Sequence, residues 1–215
     1  MGVVMAPNVA ASVRLMLVTD DRLMAGRDLI ALARAAESGG ATSVQLRLKE
    51  ATAREQVVLA RALVSALRIP VLVNDRPDIA LAAGAAGVHL GPDDLPVHLA
   101  RAIAPPGFII GASVGSDTEA AAAAEADYWG IGPWRLTATK VDAGAGLGPD
   151  GFARLVRLAG GRPCLAIGGV RPEDVPAVRA AGGAGVAVVS GILTSSDIQT
   201  STLAYASARE HPAGP

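Results

Sequence analysis

The sequence predicts an α/β protein, a single-domain (β/α)8 TIM barrel. Short apolar runs bounded by glycine, proline or acidic residues recur along the chain, as strands buried on both faces do. Helix-like segments separate them. The alternation reaches eight strands in 215 residues, which favours a closed barrel over an open doubly wound sheet.

Residues 13–19 (VRLMLVT) are the first predicted strand, and 28–38 the first helix, stopped by Gly39-Gly40. Residues 43–49 (SVQLRLK) form the second strand. A helix over 52–67 opens with Thr52 and, three residues on, Glu55, the pattern of a capping box. Strands three and four are the apolar runs 71–73 and 87–90, separated by an Ala-rich helix over 77–84 with Pro77 in its first turn. A short helix covers 96–103, and strand five 108–113 (FIIGAS). The alanine run in 117–126 is the best helix former available. Strand six is 127–132 (DYWGIG), followed by a loop over 133–148 that is too long to serve as connection alone. Helix 149–159, strand 163–168 (PCLAIG), helix 172–181 and strand 185–190 (GVAVVS) complete the barrel. A final helix is placed at 200–209, with a start as early as 195. The barrel domain thus spans 12–209, between a loose extension (1–11) and a frayed tail (210–215).

Composition narrows the function classes. Half the residues are hydrophobic (51%) and few are charged (18%), so the chain can bury a large core. A net charge of −1 argues against a broad nucleic-acid surface. Aromatic residues are scarce, which leaves the core to Ala, Val, Leu and Ile. The single cysteine, Cys164, lies in an apolar run and is expected to pack there. No apolar stretch is long enough for a membrane span, and the start lacks the features of a signal peptide. The expectation is a cytoplasmic protein acting on small molecules, with no nucleic acid or membrane partner; a homo-oligomer is left open.

The polar residues gather at strand ends. On strand two, Gln45, Arg47 and Lys49 alternate with apolar neighbours and so share one face. In a barrel the outer face packs under helices, so this polar face points inward near the mouth. Two cations there need an anion. Asp75 and Asp94 follow strands three and four, and neighbouring parallel strands bring them to the same end. Each alone could instead cap a helix, before Pro77 and Pro96 respectively. Together, beside two cations, they suit Mg2+ and a diphosphate. Asp93 is the weaker ligand candidate; His89 reads as barrel lining and His98 as surface. Thr137-Ala138-Thr139-Lys140 in the long loop form an anion-contact cluster. Ser113 is either a pocket residue or a helix-leading turn. Gly168-Gly169 and Val189-Ser190 end strands seven and eight, where many barrels bind phosphate through backbone N–H groups. Two anion sites suit an enzyme that joins a diphosphate to a phosphate-bearing partner.

These motifs, together and in order, resemble the thiamine phosphate synthase (thiamine-phosphate pyrophosphorylase) family. The resemblance rests on Gln45-Leu46-Arg47-Leu48-Lys49, Asn74-Asp75, Gly87-Val88-His89-Leu90-Gly91 with Asp94, Gly132-Pro133 with Thr137-Ala138-Thr139-Lys140, Ile167-Gly168-Gly169-Val170, and Gly185 to Ser190. It implies a transferase of a pyrimidinylmethyl group. Gln45, Arg47, Lys49, Asn74, Ser113 and Lys140 would hold hydroxymethylpyrimidine diphosphate. Arg47, Lys49, Lys140 and Ser113 would act in catalysis, and Asp75 and Asp94 would bind Mg2+. Thr137, Thr139, one of Gly168 and Gly169, and Val189-Ser190 would hold the thiazole phosphate. Leu48, Pro92, Val114-Gly115 and Trp134-Arg135-Leu136 depart from the family pattern. The rival readings are a paralogue like the thiazole tautomerases and a non-catalytic barrel that binds thiamine phosphates.

Overall fold

The computed structural model describes residues 8–135 and 146–208. Its strands are β1 (Leu15–Val18), β2 (Ser43–Leu46), β3 (Val71–Asn74), β4 (Gly87–Leu90), β5 (Ile109–Val114), β6 (Tyr128–Ile131), β7 (Cys164–Ile167) and β8 (Gly185–Val188). They pair in parallel, in sequence order, and β8 returns to β1 to close the barrel. Closure leaves no edge strand, so every central strand must be buried on both faces.

Alternation along the strands divides the core in two. Leu15, Leu17, Val44, Leu46, Val71 and Val73 point outward and pack under helices in one large cluster. Met16, Val18, Leu72, Ile109, Tyr128, Leu165 and Ala187 point inward and fill the barrel's lower interior. Moving up by two residues from this apolar layer reaches polar side chains: Leu72 leads to Asn74 and Val18 to Asp20. The interior is therefore oily below and polar at the mouth.

The helices are α1 (Val9–Ser12), α2 (Asp21–Met24), α3 (Leu29–Ser38), α4 (Ala53–Ala66), α5 (Pro77–Ala83), α6 (Val97–Ile103), α7 (Asp117–Ala122), α8 (Gly148–Leu158), α9 (Val175–Ala180), α10 (Ser190–Leu193) and α11 (Ile198–Ala208). Thr52 and Glu55 form the predicted capping box on α4. Gly84 ends α5 in the left-handed conformation at φ 70°. Among the described residues no helix is long and apolar enough to cross a membrane.

Several boundaries differ from the sequence expectation, each for a local reason. Helix α1 lies partly in the segment expected to be loose; Asn8 caps it and Val9 packs against the barrel's inner cluster. Strand β2 stops at Leu46 because the Thr19 hydroxyl takes over, accepting from Arg47 N at 2.8 Å and donating to Arg47 O at 3.2 Å. Helix α7 stops at Ala122 despite its alanines. The carbonyls just beyond are taken by side chains: Trp129 Nε1 donates to Ala123 O, and the Arg162 guanidinium to Ala124 O and Ala126 O. The segment 172–181 begins as a 3-10 turn (Pro172–Asp174) before α9, since Pro176 has no N–H to give Pro172 O and Val175 N serves it instead. The last helix starts at Ile198, and a separate turn, α10, follows β8 directly.

Candidate active site at the mouth of the barrel

A cavity of about 670 Å³ opens over the C-terminal ends of the strands. From the β2 side it is lined by Gln45, Arg47 and Lys49, and from β3 and β4 by Asn74, Asp75, His89 and Asp94. Ser113 enters from β5, Gly168 and Gly169 from the end of β7, and Val189 and Ser190 from β8. One space therefore collects the sequence-predicted residues among those described. Thr137, Thr139 and Lys140 lie outside the described residues. The ends of their segment sit at the cavity: Pro133 and Leu147 line it, and Leu147 N donates to Pro133 O at 2.8 Å.

Neither aspartate is a helix cap. Arg76 is the N-cap residue of α5 and Pro96 that of α6, and neither helix has a side-chain cap bond. Asp75 is instead held in the left-handed region (φ 64°), alone among the described non-glycine residues, with its N–H donated to His89 O at 2.8 Å. Aspartate tolerates this conformation better than most residues, and such strain gathers at functional sites. Asp94 Oδ2 accepts from Gly91 N at 2.6 Å. The two carboxyl groups lie close enough to influence each other. Burial, then contact with Asp94, raises the Asp75 pKa to about 6, against the opposing pull of Lys49 and Arg47.

The two cations are held by different acids. Lys49 Nζ lies 3.8 Å from Asp75 Oδ2. Arg47 Nη1 lies 3.4 Å from Asp20 Oδ2, and the other Asp20 oxygen caps α2. Asp21 accepts the backbone N–H groups of Lys49 and Glu50 at 2.8 and 3.2 Å. The turn after β1 thus clamps the polar tail of β2 at three consecutive residues, Thr19 to Asp21.

This clamp was not foreseen from the sequence. Its signal was present: two aspartates before a short apolar run read as a cap. Tyr128, buried in the barrel with its hydroxyl 2.9 Å from His89 Nδ1, was also missed. Face alternation along β6 could have placed it inside. Glu119 reaches the cavity from α7 to accept from Gly115 N, and nothing in its sequence context marks it. Of the departures from the family pattern, Leu48 packs on the outer core and Trp134 is buried against Phe152, ring centroids 5.6 Å apart and edge-on. Arg135 pairs with the buried Asp174.

Comparison with known proteins agrees with the barrel fold and places the chain among its relatives. The family model for thiamine monophosphate synthase matches residues 15–192. The chain is 49% identical over 189 residues to the thiamine-phosphate synthase of Azorhizobium caulinodans, covering 86% of this chain and 89% of that protein. The thiamine-phosphate synthase of Methanospirillum hungatei is 44% identical over 202 residues, covering 92% and 98%. The solved structure of a thiamine phosphate pyrophosphorylase from Pyrococcus furiosus superposes with a TM-score of 0.84 at 35% identity, covering 94% of this chain and 98% of that one.

Proposed function

The chain belongs to the thiamine monophosphate synthase family, and from that premise we propose how its barrel mouth makes thiamine phosphate. The enzyme is a transferase that joins hydroxymethylpyrimidine diphosphate to thiazole phosphate and releases pyrophosphate. The observation that supports the mechanism is the meeting of Arg47, Lys49, Asp75 and Asp94 around one cavity. An isomerase acting on thiazole phosphate, or a barrel that only binds thiamine phosphates, has no leaving diphosphate to stabilise and no use for that set.

The residues suit a divalent cation of the magnesium type. Asp75 and Asp94 offer oxygen donors only; burial, then the neighbouring Asp94, raises the Asp75 pKa to about 6, a cost that a bound cation removes. Among the described residues no cluster of three or more His, Cys, Asp or Glu side chains forms a cage. Magnesium commonly takes one or two carboxylates and completes its shell with substrate phosphate and water. When bound, it supplies neutralisation of the diphosphate's charge.

The bond from the methylene carbon to the diphosphate oxygen breaks, and its electron pair leaves with pyrophosphate. Arg47 and Lys49 stabilise that growing negative charge, joined by Lys140 from the long loop. Gln45, Asn74 and Ser113 hold the pyrimidine side. The thiazole nitrogen then gives its lone pair to the methylene carbon. That nitrogen carries no proton, so no general base is needed. Backbone N–H groups at Gly168-Gly169 and Val189-Ser190, with Thr137 and Thr139, hold the thiazole phosphate and set the attack geometry. Small-molecule substrates and a lone buried cysteine fit a cytoplasmic setting.

The test is product formation from the two substrates. Thiamine phosphate and pyrophosphate should appear in equal amounts, and only when both substrates are supplied. Isomerised thiazole phosphate as the sole product would overturn the reading.

A further inference from the structure

From the pocket floor down, the barrel interior holds His89 and Tyr128, two polar side chains that the mechanism above does not use. Tyr128 is fully buried and cannot touch a substrate. Its hydroxyl lies 2.9 Å from His89 Nδ1, and His89 Nε2 lies 3.0 Å from Ser113 Oγ at the cavity. The sheet makes room for both rings. Gly111 on β5 stands in register between His89 on β4 and Tyr128 on β6. A Cβ at Gly111 would collide with Cζ and the hydroxyl of Tyr128, and one at Gly130 would come within 3.0 Å of His89 Cε1. Glycine weakens a strand interior, so two at these positions mark a demand for space made by this pair.

The direction of the protons follows from the far end. A thioether sulfur only accepts, so the 3.4 Å contact between Gln45 Nε2 and Met16 Sδ orients the amide nitrogen inward. Burial raises the Tyr128 pKa, and the Gln45 side chain opposes that rise, as an amide N–H offered to the phenol oxygen does. The phenol O–H is then directed to His89 Nδ1, which accepts. His89 therefore carries its proton on Nε2 and donates to Ser113 Oγ. Ser113 is left with its own O–H to offer the cavity.

We propose that Tyr128 and His89 form a buried relay that fixes Ser113 as a hydrogen-bond donor to the pyrimidine diphosphate. The inference rests on the functional reading above for the identity of the acceptor, but not for the proton order. Tyr128 is a positioning residue; Ser113 makes the contact.

Two measurements test it. The full chain has three histidines, so 15N-histidine labelling gives a simple spectrum, and a His89→Gln variant assigns the resonance. His89 should be the Nε2–H tautomer in the wild type without substrate; a Nδ1–H tautomer overturns the relay, and this reading needs no folded Tyr128 variant. Tyr128→Phe should lower kcat by about tenfold, the scale of one hydrogen bond, with KM for thiazole phosphate unchanged. In a Ser113→Ala background the same substitution should cost nothing more. Penalties that multiply in the double variant, or an unchanged kcat in the single one, overturn the proposal. Absence of thiamine phosphate synthesis by the wild type would remove the functional reading instead, while the tautomer would still decide the relay.

Discussion

Asp75 concentrates the site's physics in one residue. Its folded pKa of about 6 lies above the ordinary 3.8, so the folded protein binds a proton more readily than the unfolded chain. The stability it contributes is fully present below about pH 4 and is lost as pH rises through about 6. Melts in chelator should show this loss across that window. Asp75→Asn should flatten it, because the amide does not titrate and asparagine also tolerates the left-handed backbone. The same variant should lose about 10²-fold in turnover, on the scale of removing one group that stabilises transition-state charge. An unchanged pH slope, or undiminished turnover, would separate Asp75 from the role given it here. Asp20 makes a milder case. Its ion pair with Arg47 is partly exposed (side chains 25% and 17%), and asparagine would keep the oxygen that caps α2, so Asp20→Asn should cost under about 1 kcal/mol of stability. Released from its anchor, Arg47 should bind the diphosphate less well. KM for the pyrimidine substrate should rise several-fold with that for thiazole phosphate constant, measured in one steady-state series. At this scale the aspartates were legible because strand ends place them, whereas their exclusion from capping was not, since a cap and a ligand share the same residue type before a proline.

Elements were legible where a period or a cap marked them. The box on α4 was read from Thr52 and Glu55 and is present, with Thr52 Oγ1 accepting from Glu55 N at 3.3 Å and Glu55 Oε2 accepting from Thr52 N at 2.8 Å. Thr52→Ala should cost about 1 kcal/mol and lower Tm by roughly 2–4 °C without changing kcat. Boundaries were less legible because partners distant in sequence set them. Arg162 ends α7 from 36 and 38 residues away, and no alanine count foretells that. Helices α1 and α2 are four residues each, too short to show a period. The segment between Pro133 and Leu147 carries Lys140, and its assignment to the diphosphate can be checked separately. Lys140→Ala should lower kcat more than it weakens thiazole phosphate binding. A fall in thiazole affinity alone would move that lysine to the other anion.

The whole molecule follows from closing eight strands of alternating character. Closure turns every second side chain inward, and the inward set changes from Met16, Leu72 and Leu165 below to Arg47, Asn74 and Ser113 above. The count of strands foretold the barrel, and the placement of polar residues at their C-terminal ends foretold the mouth. Which inward groups touch each other was not legible, because contacts between Tyr128, His89 and Ser113 depend on the register of three successive strands, β4 to β6, which residue types alone do not set. The most direct measurement of the central claim is the rate of thiamine phosphate formation by the wild-type enzyme before and after chelation, with magnesium then restored. Synthesis should stop with the chelator and return with magnesium. A rate indifferent to the chelator would contradict a mouth built to hold a departing pyrophosphate between a cation, Arg47 and Lys49.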